Sequence, residues 1–364
     1  MASISTQKSQ LCDVPNIGID IGGSLVKMVM VVEKGSEKNT KQASDDLHAL
    51  EKFILKSTCT GAPKQEGWQA GVINDSDGRR SIHVVVFPTA DFEQAMQMVG
   101  AQSTGQSKTG ICVAATGGGA QRHKTEMQEL MDVSVHMVNE LQAVSLGWQL
   151  SAAWQNAKQE GLALVCNVGT GVSMISIGPD GTFERVGGSG LGGATFWGLA
   201  RRLTAYRDFN AAVRAAHASG DASRVDTLVG DIYGVETSRE IGMPADLVAG
   251  FLGKLDSQSA SDADVVAALL RMVTNNLGQL AVYQARAMGV DTVWFTGGFF
   301  QQRPHGLGDA GAGADASDDE AGVVQQAVAE AVAFWSGGKV EARFPADAPL
   351  LGALGAVAAS EGTA

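Results

Sequence analysis

From Asn16 the chain alternates as Ile17-Gly-Ile19-Asp-Ile21, breaks at Gly22-Gly23-Ser24, and resumes a β-rich run from Leu25 to Val32. That pattern predicts a hairpin whose turn is almost all backbone. Helical spacing follows in Leu47, Leu50, Phe53 and Ile54, then a polar stretch. A third strand is expected around Ser81 to Phe87 and a fourth at Ile111 to Ala115, ended by Gly117-Gly118-Gly119. A similar order recurs later: an apolar strand from Leu162 to Cys166, a turn at Asn167-Val-Gly169-Thr170-Gly171, and a returning strand from Ser173 to Ile177. Pro179-Asp180-Gly181 then turns the chain into Thr182 to Val186. Two strand, glycine-turn, strand units about 150 residues apart point to duplicated lobes, although such units are common and glycine is what tight turns use.

Beyond the second unit the pattern becomes helical. Val266, Leu269, Leu270, Val273, Leu277, Leu280 and Ala281 form one stripe within Val265 to Met288, suited to a monomer core or to a dimer seam. Asp291 to Phe295 reads as a strand ending in Thr296-Gly297-Gly298. The stretch 306–322 has almost no large apolar residue and is expected to be an acidic insertion loop without chemistry. The expected division is a tail at 1–15, an N-terminal lobe at 16–155 and a C-terminal lobe at 156–364.

Composition sharpens the picture in a few places. A length of 364 residues suits two domains. Glycine, at 46 residues, is roughly twice its usual share, so many positions need unusual backbone angles or a close approach to a ligand. With 27 basic and 39 acidic residues the net charge is −12, which opposes binding to nucleic acid or to an anionic membrane surface. Cys12, Cys59, Cys112 and Cys166 form no C-x-x-C unit, which favours a reduced compartment without structural zinc. Met1 to Gln10 is polar and no run of about 18 uncharged apolar residues occurs, so neither a signal peptide nor a transmembrane helix is expected, and the location is read as cytoplasmic.

A glycine turn at a strand end presents N–H groups that suit an anion such as phosphate. Gly22-Gly23-Ser24, Gly117 to Gly119, Gly169-Thr170-Gly171 and Gly297-Gly298 all qualify. None has the spacing of a P-loop or of a dinucleotide fingerprint; their recurrence on two similar lobes is what favours a nucleotide held in a cleft. Asp20, one residue removed from Gly22, suits a carboxylate facing phosphate-bound Mg²⁺ through water, or simple turn support. Lys27 suits a point charge on phosphate or a solvated strand residue. Glu140, in His136-Met-Val-Asn-Glu140-Leu, suits a general base for an attacking hydroxyl or a first-turn acid stabilised by the helix dipole. Arg185 precedes Gly187, Gly188, Gly190, Gly192 and Gly193. So many glycines before a helix are hard to justify by folding, and a ligand at the backbone is expected there. The guanidinium would pair a carboxylate or phosphate bidentately, or form a salt bridge between lobes.

Taken together these residues resemble the eukaryotic-type (type II) pantothenate kinases of the actin and sugar-kinase ATPase superfamily. The segments concerned are Gly18-Ile-Asp20-Ile-Gly22-Gly23-Ser24-Leu-Val-Lys27, Ala115-Thr116-Gly-Gly-Gly-Ala120, Asn139-Glu140-Leu, Asn167-Val-Gly-Thr-Gly-Val-Ser173 and Arg185-Val-Gly-Gly-Ser-Gly-Leu-Gly-Gly-Ala-Thr-Phe-Trp-Gly-Leu199. Leu228-Val-Gly-Asp-Ile-Tyr-Gly234, Thr274-Asn-Asn-Leu-Gly278 and Val293-Trp-Phe-Thr-Gly-Gly-Phe-Phe300 continue the order. The resemblance implies an α/β fold of two actin-like, ribonuclease-H-like lobes, each a mixed β-sheet flanked by helices, with a nucleotide cleft between them. It implies ATP- and Mg²⁺-dependent phosphorylation of pantothenate to 4′-phosphopantothenate, towards coenzyme A, by a homodimer inhibited by coenzyme A or its thioesters.

By matched position Glu140 would be the general base, and Arg185 would stabilise substrate and transferring phosphoryl. Thr170, Ser173 and Gly193 would meet pantothenate, and Asp20 would orient Mg²⁺. Gly22, Gly23, Ser24, Lys27, Gly169, Thr170, Gly171, Gly297 and Gly298 would lie along the nucleotide. The chain departs from the family at Ser24 and Thr170, which exchange one hydroxyl residue for another, and at Gly187 and Gly190, where side-chain hydroxyls are lost. It also departs in Ala346-Asp-Ala-Pro-Leu-Leu-Gly352-Ala353, where an acidic stretch is missing. Two rivals stay open: a kinase of a sugar or another small alcohol, and a catalytically silent coenzyme A-binding regulatory dimer.

Overall fold

The computed structural model describes residues 17–33, 49–60, 68–74, 80–100, 111–131, 133–154, 161–256, 259–300, 308–309, 318–345 and 347–361. The expected tail at 1–15, Cys12 and most of the acidic stretch 306–322 lie outside them. The described residues form two compact units.

The first unit opens with β1 (Ile17–Ile21) and β2 (Leu25–Glu33), followed by α1 (Ala49–Thr60), β3 (Gln69–Asn74) and β4 (Arg80–Pro88). It continues through α2 (Phe92–Gly100), β5 (Ile111–Thr116), α3 (Gly118–Met131), β6 (Val133–Met137) and α4 (Glu140–Trp154). The sheet runs in the order 308–309, β3, β4, β2, β1, β5, β6. β1 is antiparallel to β2, with Asp20 opposite Lys27, and parallel to β5, with Asp20 opposite Thr116. Side chains on a strand alternate between faces. Ile17, Ile19 and Ile21 accordingly enter a core with Met28, Phe53, Phe87, Phe92, Met96 and Met127. Gly18, Asp20, Lys27 and Thr116 are left to the opposite face.

The second unit contains β7 (Ala163–Val168), β8 (Val172–Ile177), β9 (Phe183–Ser189), α5 (Gly193–Leu203), α6 (Phe209–Ser219), α7 (Asp262–Met288), β10 (Thr292–Thr296), α8 (Asp318–Ser336) and β11 (Glu341–Arg343). Its sheet order is β11, β10, β7, β8, β9. β7, β8 and β9 pair antiparallel, and β10 and β11 add to β7 in parallel. The same plan governs the first unit: β1 is central, an antiparallel set lies to one side and two parallel strands to the other. The expected duplication of mixed, helix-flanked sheets is therefore present in the topology itself.

α7 carries the predicted stripe. Val266, Leu269, Leu270, Val273, Leu277 and Ala281 are buried in the core of the second unit, with Leu280 partly buried against them. Ser261 and Asp264 form a capping box at its start, and Gly289, at φ 69°, stops it in the left-handed conformation that glycine adopts freely. By length and composition α7 could cross a bilayer, yet 61% of its most apolar stretch is buried in this core.

The chain then returns to the first unit as α9 (Leu351–Glu361). Residues 308–309 and 349–361, expected in a C-terminal lobe at 156–364, belong instead to the first unit. Leu-Gly-Ala-Leu-Gly-Ala-Val-Ala-Ala has no polar face by which periodicity could orient it. It is buried on all sides, covered by Val29, Val84 and Val86 of the sheet and by Ala143 of α4. The α4–α9 contact is backbone on backbone: a Cβ at Gly147 would overlap the Leu351 carbonyl, and one at Gly355 the Ala143 carbonyl. Gly355→Val should therefore destabilise the chain by at least the upper end of the ~1–3 kcal/mol typical of overpacking, because the obstacle is main chain that cannot rotate away. Denaturant unfolding would show this, and a midpoint like that of the parent would refute the interlock.

Candidate functional site

Of the candidate residues in the first unit, Asp20 lies near the end of β1, Lys27 near the start of β2 and Glu140 at the start of α4. Lys27 Nζ lies 3.3 Å from Asp20 Oδ2, with both side chains largely buried. This cross-strand pair follows from the β1–β2 register. Glu140 is the first residue of α4, and the helix does not need it as a cap. Asn139 Oδ1 accepts from the N–H groups of Leu141 and Gln142 at 3.0 and 3.2 Å. Partial burial raises the Glu140 pKa above the usual carboxylate value; the nearby negative charge of Asp20 raises it further, and Lys27 opposes the rise. The charges of Asp20 and Lys27 thus both act on Glu140. Glu140 is also the first-turn acid of α4 that the sequence offered as its alternative, whereas Lys27 is not a solvated strand residue.

The turn after β1 is less open than expected. Gly22 N–H donates to Leu25 O at 2.9 Å, so this amide is spent inside the hairpin, while Gly23 and Ser24 are exposed. The turn is braced from outside by Thr89, whose N–H donates to Ser24 O and whose Oγ1 donates to Gly22 O, each at 2.9 Å. Nothing in the local sequence pointed to Thr89, since it lies 67 residues away, just past the end of β4. Gly117, at φ 89°, approaches so closely that a Cβ would lie 2.5 Å from Ile21 O and 2.7 Å from Asp20 Oδ1.

In the second unit three glycine turns meet at one end of the sheet. Gly193 N–H donates to Gly169 O at 2.9 Å and Ala194 N–H to Thr170 O at 3.1 Å, which stitches the 190–193 loop onto the turn between β7 and β8. Gly297, at φ 106°, sits against Val168 and Asn167, and Phe299 lies against Gly193. Gly169, Thr170, Gly171, Gly193, Gly297 and Gly298 are therefore neighbours, at the strand ends where ligands of α/β sheets bind. Ser173 is on β8 opposite Gly188.

Folding explains more of the glycine-rich loop than the sequence reading allowed. A Cβ at Gly192 would lie 2.7 Å from Gly171 Cα, and one at Gly193 would lie 2.8 Å from Gly169 O. At Gly188 it would overlap the Arg185 guanidinium and the Val172 carbonyl, whereas Gly190 has open space around it. Three of these glycines are thus required by close packing, and the ligand argument rests on Gly190 and the exposed Arg185. Arg185 stands at a bulge, where Met174 pairs with Gly187 and Ile175 with Arg185, and bulges re-aim side chains. Among the described residues Arg185 has no ion pair. Cys166 is fully buried, which pushes its thiol pKa far up and leaves it unreactive.

Comparison with known proteins bears on the family. Pantothenate kinase 2 of Oryza sativa subsp. japonica is 29% identical over 389 residues, covering 96% of this chain and 39% of that protein. The chain therefore spans about two fifths of that relative's length. Pantothenate kinase of Schizosaccharomyces pombe (strain 972 / ATCC 24843) is 27% identical over 317 residues, covering 79% of this chain and 72% of that one. Among solved structures, a ROK family glucokinase from Streptomyces griseus in complex with glucose and AMPPNP aligns over 95% of this chain and 99% of its own, at 12% identity and a TM-score of 0.43. A sequence profile named Fumble matches residues 16–309, a span that takes in the β1–β2 hairpin, Glu140, the Arg185 loop and Gly297. The motif order and that match agree, and the chain belongs to the Fumble family.

Proposed function

We propose that the chain is an ATP-dependent kinase that phosphorylates the terminal hydroxyl of pantothenate, giving 4′-phosphopantothenate for coenzyme A synthesis. The observation that carries this reading is the Asp20, Lys27 and Glu140 cluster, in which a partly buried carboxylate with a raised pKa feels the charges of a largely buried ion pair. Family membership and the names of the relatives support it. Phosphoryl transfer demands positioning and charge neutralisation more than covalent chemistry. In this reading Glu140 accepts the proton of the attacking hydroxyl and Lys27 neutralises phosphate charge. Arg185 offers its planar fork to substrate and transferring phosphoryl, and Thr170, Ser173 and Gly193 contact pantothenate. Gly22, Gly23, Ser24, Gly169, Gly171, Gly297 and Gly298 line the nucleotide.

The residues fit Mg²⁺. That ion retains waters and takes only one or two carboxylates besides the phosphates. Asp20 supplies one carboxylate, and Thr116 Oγ1, at the register position beside it, is buried with no hydrogen-bond partner among the described residues. When bound, Mg²⁺ would neutralise phosphate charge, and Asp20 would hold it. The reading further takes the protein as a cytoplasmic homodimer inhibited by coenzyme A or a thioester, with the family resemblance as support.

Open space at Gly190 and the absence of hydroxyls at Gly187 and Gly190 favour, as the second reading, a kinase of another small alcohol. Initial rates of ADP formation with pantothenate and with a panel of hexoses separate the two. A rate that rises only with pantothenate is expected; a rate that rises only with a hexose overturns the substrate assignment. Nucleotide binding with no turnover on any alcohol would instead point to a silent regulatory protein.

A further inference from the structure

On the reading that Asp20 serves the metal-bound phosphates, we propose that Gly352, the second residue of α9, is a positioning residue for the Asp20 carboxylate. A Cβ at position 352 would lie 2.8 Å from Asp20 Oδ2, 2.9 Å from its Cγ and 3.4 Å from its Cβ. These three nearest atoms all belong to Asp20, and the first two approaches are shorter than real Cβ contacts allow. A Cβ at Gly117, whose φ is 89°, would lie 2.7 Å from Oδ1. Lys27 Nζ stands 3.3 Å from Oδ2. The carboxylate is thus flanked by two side-chain-free backbones and one cation, which together leave it little freedom.

Gly352 cannot retreat from Asp20. Leu350, Leu351, Ala353 and Leu354 around it are almost completely buried. α9 also interlocks with α4 through Gly147 and Gly355, and α4 begins at Glu140. Close-packed interiors transmit strain to whatever can still rotate. A substituent at 352 is therefore accommodated by Asp20 moving, and α9, far away in sequence, sets the position of this carboxylate relative to Lys27 and Glu140.

The test is calorimetric binding of ATP, with Mg²⁺ and with EDTA, to the full chain and to Gly352→Ala, Asp20→Asn and the double variant. Gly352→Ala should weaken Mg²⁺-dependent binding by about 10-fold or more, the usual effect of losing an outer-shell partner. Binding in EDTA should hardly change, and the loss should vanish in the Asp20→Asn background. Binding like that of the parent in Gly352→Ala, with a clear loss in Asp20→Asn, overturns this proposal alone. A loss that persists in the Asp20→Asn background also overturns it, because it reports a general packing defect. Undiminished Mg²⁺-dependent binding in Asp20→Asn overturns the role of Asp20 itself, and the proposal with it. Should Gly352→Ala not fold, adding Asp20→Ala removes the overlap and should restore folding; failure to do so counts against the proposal.

Discussion

Replacing Glu140 by glutamine is expected to lower kcat by about 10²–10⁴-fold, the usual contribution of a positioned general base, while ATP binding stays close to that of the parent. Glutamine keeps the size and the hydrogen-bonding reach of the side chain but cannot take a proton. The helix should not be disturbed, because Asn139 caps it. The pH dependence carries a sign that can be checked. Burial and the Asp20 charge raise the pKa of Glu140, so the acid limb of kcat/KM should lie above the ordinary glutamate value of 4.5. Below that limb the base is protonated and activity falls. Lys27→Met removes the one influence that lowers the pKa, so it should move the limb to higher pH; Asp20→Asn removes a raising influence and should move it lower. Rate profiles of the three variants against the parent decide the matter, and a Glu140→Gln enzyme with unchanged kcat would remove the residue from this role.

Arg185→Lys should reduce turnover by about 10²-fold, an effect of the size seen when one preorganised donor to a developing charge is lost. The substitution conserves charge, so a loss that large reports geometry: a planar fork offers two parallel donors, and an ammonium offers a single point. Arg185 is exposed and sits at the β8–β9 bulge, with its guanidinium over Gly188. Its replacement should leave thermal stability nearly untouched, since exposed charges contribute little to folding. Steady-state kinetics with unfolding curves from the same preparations separate the two effects. Equal kinetics in the lysine variant would show that only a positive charge is needed.

The fold was legible where periodicity had something to report. The Ile17 to Ile21 alternation gave the central strand, and the α7 stripe gave the core helix of the second unit. The strand and glycine-turn order gave the repeated sheet plan. Elements without contrast were missed. β3, Gln-Ala-Gly-Val-Ile-Asn, looked like part of a polar stretch because its partner β4 supplies the apolar company. α9 is apolar on every side and could not be oriented until α4 and the sheet were in place. At the site, the residue types were visible in sequence but their grouping was not. The Asp20–Lys27 pair depends on register and the Thr89 brace on a long-range contact. The approach of Gly352 to Asp20 depends on a chain return that no local pattern announces. In the glycine-rich loop Gly188, Gly192 and Gly193 meet neighbouring atoms closely and Gly190 does not, a difference that sequence alone cannot show.

The decisive experiment follows the phosphoryl group by ³¹P NMR, with the purified chain, Mg²⁺, ATP and pantothenate in one tube. A new phosphomonoester resonance, growing in step with ADP and absent when pantothenate is omitted, is the expected spectrum. ATP that stays intact, or that yields only inorganic phosphate, would contradict the assignment of this site to phosphoryl transfer onto that alcohol.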